Sequence, residues 1–302
     1  MPIFTEDTSC RLRRVTLLDD HTIHVKMQKN YTITFACYNQ LNYTQQFIAS
    51  LDRSEVDFSR IVAVDNGSTD GTREWLQDQG FGQVILNNRN LGCGAAWNQG
   101  ALEIQSDWTI VMNNDVVCAE GWLEKLLKMA DLHQLKIASP AMVEGELNYA
   151  FQAWSKQASA KFEGYCREGA PHAVCMAIHQ EVWNEIGYFM PVPKLLGYED
   201  SIFFQRAHEA HIKTGTVGES WLHHFGMTTQ KALKLEKKLD ERDSLGNRNL
   251  MRLYMHQTWL QRKLAKLDKK KLILASKQKE LQQFDMTVHA LNFKGSEQWV
   301  WS

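Results

Sequence analysis

The sequence predicts an α/β domain built on a mainly parallel sheet flanked by helices, with a helical extension at its C-terminal end. Three observations carry that expectation. Apolar runs close on acidic or amide residues at Ile61–Asp65 and Ile110–Asp115, helical patterns alternate with strand-like runs from residue 31 onward, and the composition, 44% hydrophobic and 23% charged over 302 residues, is that of an ordinary globular chain. Strands alternating with short helices form parallel sheets covered on both faces, and a polar residue at a strand's carboxyl end sits in the crevice where such sheets bind ligands.

Taken in order, residues 1–29 form an N-terminal extension in which the alternation Thr22 to Lys26 suggests a short edge strand without chemistry of its own. Tyr31 to Cys37, β-branched and aromatic, reads as the first core strand, with a helix from Gln40 to Leu51 after it. Strands are expected at Ile61 to Val64, Val84 to Leu86 and Ile110 to Met112, and helices at Thr72 to Gln79, Gly94 to Ile104 and Gly121 to Leu132. The last helix carries Trp122, Leu123, Leu126, Leu127 and Met129 on one side. This first half, residues 30–140, ends near Pro140. Residues 141–228 break the rhythm: Glu144 to Gly169 reads as loop-rich, followed by a strand at Ala173 to Ile178 and a helix from Gln180 to Ile186. Residues 229–302 form a basic region that is helical almost throughout.

Composition narrows the setting. No apolar run approaches the roughly 20 residues of a membrane span, and the charged stretch Met1 to Asp20 lacks the apolar core of a signal peptide, so a cytoplasmic address is expected. The six cysteines (Cys10, Cys37, Cys93, Cys118, Cys166, Cys175) form no CxxC pair, which argues for structural thiols rather than a zinc site. The net charge of −1 hides an asymmetry: Lys231 to Glu280 holds 15 Lys plus Arg against 6 Asp plus Glu, an excess of nine that leaves the remainder at −10. There Leu260, Leu264, Leu267 and Leu272 recur near one side of a helix with lysines flanking them. Packing on the body is the first expectation for this face; a homodimer through residues 231–280, or peripheral contact with the inner face of an anionic membrane, are the others.

Six motifs occur in a fixed order: Tyr38-Asn39 after the first strand; Asp65-Asn66-Gly67-Ser68-Thr69-Asp70-Gly71-Thr72 after the second; Asn90-Leu91-Gly92 with Ala95, Ala96 and Asn98; Asn113-Asn114-Asp115; Gly197-Tyr198-Glu199-Asp200 with Arg206; and His224-Phe225-Gly226-Met227-Thr228-Thr229. Their order and spacing across roughly residues 30–250 resemble the family-two glycosyltransferases, an inverting group with the GT-A fold. Any one alone would be weak.

The resemblance implies a GT-A domain over 30–228, with a nucleotide-sugar half (30–140) and an acceptor half (141–228). It implies a nucleoside-diphosphate sugar as donor, a UDP-sugar first and dTDP-rhamnose as the alternative, and a hydroxyl acceptor on a glycan, a lipid-linked sugar or another molecule in surface polysaccharide synthesis. Tyr38, Asn39, Asp65, Asn66, Asn90, Gly92, Asn113 and Asn114 fall at its nucleotide-sugar positions, with Asp65 at a uracil contact; by itself Asp65 also reads as a cap on the next helix. Asp115 falls at the metal position, for Mn2+ or Mg2+, because hard cations take oxygen ligands and few from the protein when substrate phosphates are present. Asn113 departs from the family's Asp-x-Asp and leaves one carboxylate fewer. A histidine near the cation is implied too, with His223 and His224 both open. Asp200 falls at the general base and Glu199 at its positioning partner; in isolation the pair also reads as the acidic start of a helix.

Two other classes compete. A non-catalytic nucleotide-sugar or partner-binding protein of the same fold would account for Asn113. A nucleotidyltransferase would share the sheet but needs a glycine-rich, basic loop after the first strand, and Cys37-Tyr38-Asn39-Gln40-Leu41 has none.

Overall fold

A parallel unit begins the chain. In the computed structural model, which describes residues 30–192, 197–226, 249, 251–254, 258–292 and 300–301, strands β1 (Tyr31–Cys37), β2 (Ile61–Asp65), β3 (Gln83–Leu86) and β4 (Trp108–Asn113) pair in parallel in the order β3-β2-β1-β4. The connections are α1 (Leu41–Arg53), α2 (Thr72–Gln77) and α3 (Cys93–Glu103). The strands are apolar on both sides because both faces are covered: Ile110 and Met112 join one core, while Val111 between them joins the other with Trp97, Phe189 and Phe203. In α1, Phe47, Ile48 and Leu51 supply the buried face, spaced three and four residues apart. The expected N-terminal extension, 1–29, lies outside the described residues, as do 227–248, where the first part of the basic region was expected.

The sheet continues into the second half. After β5 (Val116–Cys118) and α4 (Trp122–Leu132) come β6 (Ile137–Gly145), α5 (Phe151–Lys161), β7 (Cys166–Glu168), β8 (Cys175–His179), α6 (Gln180–Ile186), α7 (Glu199–Glu209) and β9 (Thr214–His224). β8 runs antiparallel beside β4 and β6, and the long β9 pairs with β5, β6 and β7. Pro140, where the first half was expected to end, sits within β6, so one strand serves both halves. The expected loop at Glu144 to Gly169 contains α5. Its buried face is Phe151, Ser155, Ala158 and Ser159, spaced for a helix but mostly small or polar, so it carries no apolar signal. β9 escaped notice because Gly215 and Gly218 interrupt its pattern; a Cβ at Gly218 would stand 2.8 Å from Cβ of Phe162, so the strand passes too close for a side chain.

The C-terminal region is more than helical. α8 (Trp259–Phe284) is followed by β10 (His289–Asn292), parallel to β6, and by β11 (Val300–Trp301). α8 starts on its own capping box, Thr258 with Gln261, and ends at Asp285. Its last turns are anchored by a buried carboxylate. Glu280 accepts from Arg167 Nε at 2.7 Å and Nη2 at 2.5 Å, from the Tyr165 hydroxyl at 2.8 Å and from the Val288 N–H at 3.1 Å. Phe284 completes the anchor against Phe162 and Tyr165. The expectation that the leucine face packs on the body fails in the described residues: Leu260, Leu264, Leu267 and Leu272 are all exposed. No helix among the described residues is long and apolar enough to cross a membrane.

Candidate active site

The turns after β1 and β2 are locked to each other. The Asn39 N–H donates to Ser68 Oγ at 2.8 Å, the Thr69 N–H donates to Asn39 Oδ1 at 2.8 Å, and the Leu41 N–H donates to Asp70 at 3.1 Å. This closure holds Asn39 (φ 54°) and Gln40 (φ 63°) in the left-handed region, a conformation that non-glycine residues adopt where surrounding structure compels it. Tyr38, almost wholly buried, follows directly on β1.

Asp65 is fully buried. Its carboxylate accepts the N–H groups of Gly67 and Ser68 at 3.2 Å and faces Arg73 Nε at 3.4 Å, so here it organises its own turn. Asn66 is likewise committed within the protein: its amide donates to Asn90 Oδ1 (3.1 Å) and the Gly92 carbonyl (3.3 Å), and its Oδ1 accepts from Leu91 N–H and Asn87. Asn90 Oδ1 also takes the Gly92 N–H at 2.9 Å. Asn66, Asn90 and Gly92 therefore form one hydrogen-bonded knot that fixes the entry to α3. Asn114 is buried and donates to Thr44 Oγ1 on α1 at 2.9 Å, whereas Asn113, at the end of β4, keeps a half-buried side chain.

Beyond β4, antiparallel pairing sets Val116 opposite His224 and Val117 opposite His223. Neighbours on a strand point to opposite faces, so the two histidines part company. His223 turns inward: Nδ1 meets the Tyr149 hydroxyl at 2.9 Å, Nε2 meets the Gly145 carbonyl at 3.1 Å, and burial pushes its pKa down to about 4. His224 turns to Asp115, with Nε2 3.4 Å from Oδ1, and neither of its buried ring nitrogens has a hydrogen-bond partner. Glu144 lies beside this pair on β6, across from His289 at 3.7 Å, and the facing His289 ring holds its carboxyl below the usual range. Neither Glu144 nor His289 was expected at the site; no sequence motif marks them, and β10 brings His289 there.

The third group comes from α7, which opens after Tyr198 at φ 77°. Glu199 packs against the start of α3, where a Cβ on Gly94 would stand 3.1 Å from Glu199 Cβ, a tight contact that a side chain could take only if Glu199 gave way by a few tenths of an ångström. Burial raises the Glu199 pKa to about 7, the neighbouring Asp200 charge adds to the rise, and Oε2 has no hydrogen-bond partner. Asp200 is only half-buried, and its Oδ1 accepts the Ser201 N–H at 2.7 Å. Cys93, the first residue of α3, is exposed to solvent; desolvation followed by the charges of Glu199, Asp115 and Asp200 pushes its pKa up to about 12. One thiol thus feels all three carboxylates.

No group of three or more His, Cys, Asp and Glu side chains among the described residues forms a complete metal cage. The oxygen of Asp115 beside the unpartnered nitrogens of His224 fits a cation that takes only part of its coordination from protein, with substrate oxygens as the remainder.

A parallel β3-β2-β1-β4 sheet that meets an antiparallel β8 is the GT-A arrangement, and similar solved structures share this fold. GalNAc-T7 with UDP, GalNAc and Mn2+ aligns at TM-score 0.51 and 15% identity over 66% of this chain and 44% of its own. TarS 1-349 from S. aureus aligns at 0.50 and 15% over 68% and 63%. The mannosyltransferase PcManGT from Pyrobaculum calidifontis, with GDP-Man and Mn2+, aligns at 0.51 and 15% over 70% and 61%. The chain thus spans less than two thirds of the length of each. The glycosyl transferase family 2 model matches residues 32–206, more than half of the chain, and the protein belongs to that family. A search of curated proteins returned no match.

Proposed function

We propose that the protein is an inverting glycosyltransferase that moves a sugar from a nucleoside-diphosphate sugar to a hydroxyl acceptor. The observation that carries this reading is Asp115, just past the end of β4 in a family 2 domain, with the unpartnered His224 ring 3.4 Å away; Glu199 and Asp200 in the first turn of α7 add the acidic pair. Tyr38 and Asn39 would flank the nucleotide, while Asp65, Asn66, Asn90 and Gly92 hold the loops that frame it. Asn113 would face the donor beside Asp115.

Asp200 would serve as the base. The acceptor hydroxyl gives its proton to the Asp200 carboxylate as its oxygen bonds to the anomeric carbon, and the bond from that carbon to the diphosphate oxygen breaks on the opposite face, inverting the configuration. Glu199, buried one residue before, fixes the start of α7 and so the position of Asp200. Asp115 and His224 would hold Mn2+ or Mg2+, which supplies charge neutralisation for the departing diphosphate. A UDP-sugar is the favoured donor and dTDP-rhamnose the alternative. The acceptor class is a glycan or lipid-linked sugar in surface polysaccharide synthesis, which places the protein in the cytoplasm or peripherally at the inner membrane face.

Asn113, which removes one carboxylate from the metal motif, favours a second reading, a nucleotide-sugar-binding protein without transferase activity. Incubation with a panel of UDP-, GDP- and dTDP-sugars plus Mn2+ separates the two. Release of nucleoside diphosphate from one donor supports the enzyme; a thermal shift with that donor and no turnover with any hydroxyl acceptor supports the binder.

A further inference from the structure

We propose that α8 pairs with α8 of a second copy of this chain in a parallel two-stranded coiled coil. At 26 residues the helix is about 39 Å long. Leucines recur every seven residues along α8 at Leu260, Leu267, Leu274 and Leu281. Leu264 falls midway between two of them, so the seam alternates spacings of four and three, the pattern of positions d and a in a heptad repeat.

This seam is bare. Leu260, Leu264, Leu267 and Leu274 are 57%, 51%, 47% and 47% exposed, although the same helix is fastened to the body by Glu280 and Phe284 at its far end. Leu272, also exposed, lies off the seam at position b.

Charge chooses both partner and direction. The g positions are Lys263, Lys270 and Lys277, and position e carries Asp268. In a parallel in-register pair, g of one helix faces the following e of the other, which sets Lys263 against Asp268 of the second copy, twice by symmetry. In an antiparallel pair the lysines at g would face one another. The remaining a positions of α8, Lys271 and Gln278, are polar, and a polar residue at a restricts register and strand number.

Sedimentation equilibrium of the full chain tests the proposal. The wild type is expected to show a concentration-dependent dimer, and Leu267→Ala with Leu274→Ala to sediment as a monomer. Lys263→Glu and Asp268→Lys should each weaken the dimer about tenfold, and the two together should restore it, since the swapped charges attract again. A monomeric wild type at the highest soluble concentration overturns the proposal. So does a double variant no tighter than the singles. If the wild type stays monomeric but binds phosphatidylglycerol vesicles at low salt, the seam serves a membrane instead.

Discussion

Nε2 of His224 stands 3.4 Å from Oδ1 of Asp115, while His223, one residue earlier, spends both ring nitrogens on Tyr149 and Gly145. Under the proposed reading the two histidines therefore take different roles. His224→Ala should weaken Mn2+ binding with little change in melting temperature. His223→Ala should leave metal affinity near wild type and lower stability, since it breaks two buried hydrogen bonds at about 1 kcal/mol each and opens a gap. Calorimetric Mn2+ titrations in the presence of nucleotide, paired with thermal melts, give both readouts. Equal losses of metal affinity in the two variants would reject the division.

Asp200→Asn keeps the side chain's shape and removes its proton acceptor. Turnover should fall on the order of 10²- to 10⁴-fold while donor binding persists, as measured by initial rates beside a donor binding isotherm. A loss confined to donor affinity would move Asp200 to the nucleotide site.

Glu199 predicts a pH dependence of stability. Its folded pKa is about 7 against an ordinary 4.5, so between these values the folded state binds more protons than the unfolded one. Its neutral form costs nothing below about pH 4.5; stability then declines as pH rises toward 7 and levels off above. The full cost is on the order of 3 kcal/mol. Glu199→Gln, which stays neutral, should gain on wild type in urea melts as pH goes from 5 to 8. Parallel pH profiles would show that the carboxyl is not held protonated.

Much of the first half was legible because its physics is local. Apolar runs at residues 31–37, 61–64 and 110–112 became β1, β2 and β4 with boundary changes of one or two residues, and Gln180 to Ile186 became α6 unchanged. The motifs at Asp65, Asp115 and Glu199 were visible as residues, but their partners were not. Asp65 spends its side chain on N–H groups two and three residues on, and Asn66 on the loop before α3, while the meeting of His224 rather than His223 with Asp115, and of Glu144 and His289 beside them, depends on strand pairing across up to about 150 residues of sequence. β10 was hidden in a region whose helical lysine-rich pattern dominated the reading.

The Arg167–Glu280 pair predicts how the C-terminal helix is held. Both side chains are buried, so removing one leaves an uncompensated charge: Glu280→Ala should cost about 3–5 kcal/mol by chemical denaturation. Replacing both, with Arg167→Met and Glu280→Leu, should cost less than the single change. A Glu280→Ala variant as stable as wild type would mean the anchor rests on Phe284 instead.

Asp115 is the group on which donor cleavage is proposed to depend. The measurement is the initial rate of diphosphate release from the preferred nucleotide sugar, with Mn2+ and acceptor saturating, for wild type and Asp115→Ala of equal melting temperature. The predicted result is a loss of at least about 10²-fold in the variant, with wild type falling as far in excess chelator. Equal rates for the two proteins, or full wild-type activity in chelator, would contradict it.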